Sequence, residues 1–176
     1  MKRLQVGIAL CLIVAAVALR LLPHPANFAP VAAVAIFGGA MLPRRIALWV
    51  PLAVMVASDM FIGFYTMMPV TWACYGLIAL VSSHWLRKPG LAKGAALTLG
   101  SSLFFFVVTN FAVWATSGMY AHTWAGLAHC YVMAVPFFRN TAASDLVYTA
   151  ALFGMAFLIN AIVRSRFTKP LTQGMQ

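Results

Sequence analysis

The chain has 176 residues, of which 64% are hydrophobic and only 8% charged. A soluble domain carries roughly 25% charged residues, so a water-soluble globule is excluded and an integral membrane protein is expected. The net charge of +10 would suggest nucleic acid in a soluble chain, but here the charges sort by position and speak for orientation instead. The apolar runs are continuous in Leu, Ala, Val and Phe, which favours spanning helices over the alternating strands of a barrel. Three cysteines, Cys11, Cys74 and Cys130, with no CxxC pair, give neither a disulfide framework nor a zinc site.

Six helices are expected in chain order. The first, Leu4–Leu22, follows Lys2 and Arg3. It imitates a signal peptide with a cleavage site at Ala16-Val17-Ala18, but the apolar run continues to Leu22 and reads as a span. A turn with His24 and Asn27 leads to a short second helix, Ala29–Leu42, with Pro30 in its first turn. Arg44 and Arg45 precede the third, Ile46–Tyr65, and Pro69 opens the fourth, which runs to Leu86. Arg87, Lys88 and Lys93 form a basic loop before the fifth, Ala95–Thr116. The segment Trp124–Phe138 is apolar but only about 15 residues long; runs of that length are more often interfacial or re-entrant than spanning. It is expected as an outer cap between helices five and six. The sixth helix begins at Asn140–Asp145 and continues as Leu146–Val163.

With six spans, Lys2, Arg3, Arg44, Arg45, Arg87, Lys88, Lys93, Arg164, Arg166 and Lys169 fall on one side, and Arg20 and Arg139 on the other. That asymmetry puts both termini in the cytoplasm. It gives one transmembrane domain, 1–170, and a cytoplasmic tail, 171–176, in a bacterial inner membrane. Basic residues on that face can meet anionic lipid; no nucleic acid is implied.

The same sorting gathers nearly every side chain able to recognise a polar ligand on the outer side. The candidates are His24, Asn27, Asp59, Tyr65, Tyr75, Asn110, Arg139, Asn140 and Asp145. An ionisable residue inside an apolar segment is by default a functional candidate, and the chain has only two acids, Asp59 and Asp145. Each has a structural reading beside the functional one. Asp59 either pairs with Arg139 to lock helix three to helix six, or faces a ligand. Asp145 either bonds free amides or hydroxyls of a neighbouring helix, including Thr109 or Asn110, or faces a ligand. Arg139 would hold an anionic or phosphate group as a bidentate donor. Cys74 is either a small buried hydrophobe or a soft ligand for a metal centre. His122 and His129 are too few for a metal site alone. Small residues at four-residue spacing, Gly7, Cys11 and Ala15 on helix one and Ala35 and Gly39 on helix two, allow close approach of another helix, inside the bundle or in a partner.

The stretches RLLPHPANFAPVAAVAIFGGA (Arg20–Ala40), SDMFIGFY (Ser58–Tyr65), FFFVVTNFAVWATSGMY (Phe104–Tyr120) and PFFRNTAASDLVYTAALFG (Pro136–Gly154) resemble a group of small six-helix bacterial membrane proteins described as transport proteins. That group in turn resembles the substrate-binding S components of energy-coupling-factor (ECF) vitamin transporters, in particular the BtuM-like cobalamin binders. The resemblance implies an S-component-like bundle that captures a vitamin or other small molecule at the periplasmic side. It implies, as partners, a membrane coupling subunit and ATPases. It also implies Cys74 as the cobalt ligand if the substrate is cobalamin, with decyanation as a side activity. S components dock through paired alanines in helix one, where this chain has Gly7, Cys11 and Ala15. The rival expectations are a membrane-embedded enzyme using Asp59, His24 and Cys74, and an assembly protein whose polar residues only hold the bundle together.

Overall fold

The computed structural model describes residues 2–86 and 90–167; Arg87, Lys88, Lys169 and the tail 171–176 lie outside the described residues. Every element among the described residues is helical: α1 (Lys2–Leu21), α2 (Val31–Met41), α3 (Arg44–Ala47), α4 (Trp49–Ile62), α5 (Met68–Trp85), α6 (Leu91–Thr116) and α7 (Trp124–Phe167). The all-helical expectation holds, and three stretches are long and apolar enough to cross a membrane: Arg44–Ile62, Ala92–Thr116 and Trp124–Val163.

The shortest of the apolar helices is the hub. Nine of the 11 residues of α2 are buried, and it touches every other helix, α5 and α7 most extensively. Small residues make this possible, because Gly39 lies so close to α5 that a Cβ would come within 2.6 Å of Ser82 Cβ and 2.8 Å of the Ala79 carbonyl. The helix stops at Leu42, whose extended backbone (φ −108°, ψ 156°) is the conformation a following proline imposes.

α1 packs on α4, burying Ala9, Leu12 and Ala16 with Val50, Val54 and Met55. Its opposite face carries Gly7, Cys11 and Ala15, all exposed. The third expected helix appears as α3 and α4. Pro51 has no amide to donate to the Ala47 carbonyl, so the hydrogen-bond ladder lapses at Leu48 while the backbone there stays helical (φ −64°, ψ −41°).

The largest departure from expectation is the cap. Trp124–Phe138 is not a separate segment but the first third of α7, a single helix of 44 residues and so about 66 Å long. Pro136 lies inside it without ending it. Contacts with α6 hold the chain before and after that proline. Tyr131 Oη donates to the Val107 carbonyl at 2.7 Å, Phe138 packs on Phe106 with ring centroids 4.8 Å apart, and Ser102 reaches Asp145. The far end of α7 leaves Met155, Phe157 and Leu158 exposed, an apolar surface suited to lipid.

Candidate functional site

The polar residues converge beside the ends of α1 and α4 and the starts of α2 and α5, against the middle of α6 and of α7. There a cavity of about 470 Å³ opens, walled by Arg20 and the following His24 and Asn27, by Val31 of α2, Met55 of α4 and Tyr65 beyond it, by Thr71 and Tyr75 of α5, Phe105 of α6, and Thr141 and Asp145 of α7. A smaller one of about 230 Å³ adjoins it, sharing Asn27, Thr71, Phe105 and Thr141 and adding Asn110, Phe137 and Phe138.

The loop between α1 and α2 forms one wall and is tied down from α7. Asn140 Nδ2 donates to the Ala26 carbonyl at 3.0 Å, and one helical turn later Ser144 Oγ donates to the Ala29 carbonyl at 2.9 Å. Asn27 adopts a left-handed backbone, φ 60°, a conformation asparagine tolerates better than most residues. His24 folds back on the end of α1, with Nε2 3.0 Å from the Arg20 carbonyl and Nδ1 2.8 Å from the Pro25 carbonyl. Both partners are acceptors, so a neutral imidazole donates to one of them and only an imidazolium to both. Across the opening, Tyr65 Oη and Thr71 Oγ1 are hydrogen-bonded at 2.9 Å.

The two acids have different surroundings. Asp59 is 1% exposed and pairs with Arg20, not with Arg139: Nη2 of Arg20 lies 2.8 Å from Oδ1. The geometry there is that of an ion pair rather than an aligned hydrogen bond, while Oδ2 accepts from Trp72 Nε1 at 2.8 Å. The other guanidinium nitrogen, Nη1, is 2.5 Å from Ser58 Oγ and 3.1 Å from Met55 Sδ. This cluster ties α1 to α4 through Arg20, and α4 to α5 through Trp72. Asp145 is 2% exposed, and its Oδ2 accepts from Ser102 Oγ at 2.6 Å, a hydroxyl of the neighbouring helix as expected, at Ser102 rather than at Thr109 or Asn110.

Of the sequence candidates, His24, Asn27, Tyr65, Tyr75 and Asp145 line the larger cavity and Asn110 the smaller. Asn140 supports the wall from outside. Asp59 and Cys74 line neither, and Cys74 is 1% exposed within the bundle. Asp59, His24 and Cys74 therefore do not come together on either of these cavities. Arg139 is exposed, lines neither cavity, and makes no ion pair or side-chain hydrogen bond among the described residues. No cluster of three metal-ligating side chains occurs among the described residues.

Arg20 and Thr71 were expected on the outer side but not among the site residues, and Ser102 and Thr141 were not anticipated at all. Arg20 carried a readable signal, being the one basic residue within the apolar run of helix one. The hydroxyls carried none, since serine and threonine in apolar helices ordinarily bond their own backbone, as Thr141 Oγ1 does to the Phe137 carbonyl at 3.0 Å.

The chain belongs to DUF6580, a family of unknown function whose model matches residues 2–168. No curated protein and no solved structure matches it.

Proposed function

We propose that this DUF6580 protein is the substrate-binding membrane component of a small-molecule uptake system, organised like an ECF S component and loaded from the periplasmic side of a bacterial inner membrane. The observation that carries this reading is the larger cavity, on which polar side chains from α1, α5, α7 and two loops converge, at the end of the bundle away from Arg44, Arg45 and Lys93. A positive-inside arrangement makes that end the outer one and both termini cytoplasmic, with six spans. The volume of about 470 Å³ lies in the range of about 300–1,000 Å³ typical of small-ligand sites. The α1–α2 loop and the Tyr65–Thr71 contact would act as the rim that a ligand crosses.

Delivery would need a coupling subunit and ATPases, and the exposed face of α1 with Gly7, Cys11 and Ala15 would let a partner helix approach closely. A ligand smaller than cobalamin suits the site better, because Cys74 would have to leave its buried position to meet cobalt.

Protein extracted in mild detergent should release a small molecule on denaturation, identified by mass spectrometry. Thr71→Trp, which fills the junction of the two cavities, should abolish its capture while leaving a folded, monodisperse protein; Thr141→Phe serves as the second plug. Undiminished capture in both plugged variants would refute the assignment of this cavity.

A further inference from the structure

The charges around the cavity do not balance. Arg20, its one cationic side chain apart from what His24 can carry, is already neutralised by Asp59. The two carboxylates are almost equally buried, 1% and 2% exposed, yet Asp59 has a guanidinium and an indole N–H, whereas Asp145 has one serine hydroxyl. Among the described residues Oδ1 of Asp145 receives no hydrogen bond and no cation pairs with the group. Burying a lone carboxylate costs several kcal/mol unless a counter-charge meets it. A protein that supplies a full partner set to one buried acid and leaves the other facing a void has left room for the partner to come from outside.

The neighbouring walls fit the same kind of guest. Tyr75 and Phe105 line the cavity beside Asp145, with ring centroids 5.0 Å apart and planes inclined by 26°. Aromatic faces carry negative potential and attract cations when desolvated, and they stack on flat rings. Anions find little here. Both terminal nitrogens of Arg20 are engaged by Asp59, Ser58 and Met55, and Arg139 lies outside the lining.

We propose that the cavity takes an organic monocation, a protonated amine or an amidine carried on a flat ring, whose charged nitrogen pairs with Asp145 while the ring lies against Tyr75 and Phe105. This rests on the cavity being the ligand site. It replaces the anion recognition expected from Arg139 by recognition of the opposite charge. The competing chemistry is an Asp145 that holds its own proton and donates to a neutral ligand. Asparagine at 145 separates the two, since it keeps a donor and an acceptor but removes the charge.

The test uses three probes of one shape and different charge, benzamidine (cation), benzamide (neutral) and benzoate (anion), titrated into the detergent-purified full chain up to about 10 mM, enough to detect millimolar sites. Protein-detected NMR or thermal shift reads the binding. The expected order is benzamidine well ahead of the other two, with benzamidine weakened by roughly tenfold or more in Asp145→Asn, as loss of a charge-assisted contact predicts. The wild-type probe order decides the matter even if Asp145→Asn does not fold, and Arg139→Ala, which leaves the carboxylate and the cavity lining in place, should keep benzamidine binding. Benzamide or benzoate binding as well as benzamidine, or benzamidine unaffected by Asp145→Asn, would overturn the cation assignment while the cavity remains a ligand site. If none of the three binds and the plugged Thr71→Trp chain still captures a cellular ligand, the cavity reading falls as well.

Discussion

Replacing Asp59 by alanine should be among the most damaging single changes in this protein, and replacing Arg139 among the mildest. Asp59 is 1% exposed and holds two partners, Arg20 Nη2 at 2.8 Å and Trp72 Nε1 at 2.8 Å. Its removal strands a guanidinium whose side chain is only 14% exposed and leaves the indole N–H unpaired. Breaking a buried pair by deleting one member costs about 3–5 kcal/mol, because the surviving charge is uncompensated. For a chain of this size that corresponds to a fall in Tm on the order of 10 °C. Arg139→Ala, by contrast, removes an exposed side chain without a partner and should stay within about 0.5 kcal/mol. Thermal unfolding in detergent, followed by tryptophan fluorescence, reads both, and the double variant Arg20→Met/Asp59→Leu, which deletes both charges, should recover much of the loss. A double-mutant cycle should then show coupling between positions 20 and 59 and none between 59 and 139. Strong coupling of Asp59 to Arg139, or an Arg139→Ala as unstable as Asp59→Ala, would refute the pairing and with it the packing of α1 on α4.

Gly39→Ala should destabilise by about 1–3 kcal/mol as an overpacking change, since the added Cβ meets Ser82 Cβ at 2.6 Å and backbone atoms of Ala79 and Ser83 at 2.8 and 2.9 Å. Gly38→Ala, with its nearest neighbour at 3.9 Å, should be neutral, and the difference between the two Tm values checks the α2–α5 contact. Asn140→Ala and Ser144→Ala each remove one tie on the loop wall and should cost about 1 kcal/mol apiece. Hydrogen exchange should then quicken in residues 24–30, and ligand capture should weaken more than global stability does.

How much the sequence disclosed depended on the range of the interaction concerned. Most helix positions followed from local chemistry: Pro30 at the start of α2, Pro69 at the start of α5 and the apolar run of α6 were readable one segment at a time, whereas the third helix, expected to reach Tyr65, ends at Ile62 before Gly63 (φ 101°). The gathering of polar groups at one end followed from charge sorting. The pairing within that end did not, because Arg20 and Arg139 were both available to Asp59 at the same depth. The choice is made by neighbour relations: α1 packs directly on α4, whereas α7 makes no contact with α4 and both border the intervening α2. The continuity of α7 was also out of reach, since Pro136 and the 15-residue apolar run argued for a break, and only the matching face of α6 removes it. Asp145 was singled out as a candidate and lines the cavity, but the identity of its hydroxyl partner depended on the register between α6 and α7.

The brevity of α2 has an architectural consequence. At 11 residues it rises about 16 Å, roughly half the thickness of a bilayer core of about 30 Å. One further turn of helix, a cylinder about 5.4 Å tall and about 10 Å across, would occupy on the order of 420 Å³. The cavity above Val31 measures about 470 Å³. The chamber is thus comparable in volume to one further turn of the central helix, whose first residue, Val31, lines it. Homologous chains could enlarge or erase the site by moving that start point, with every surrounding helix left in place.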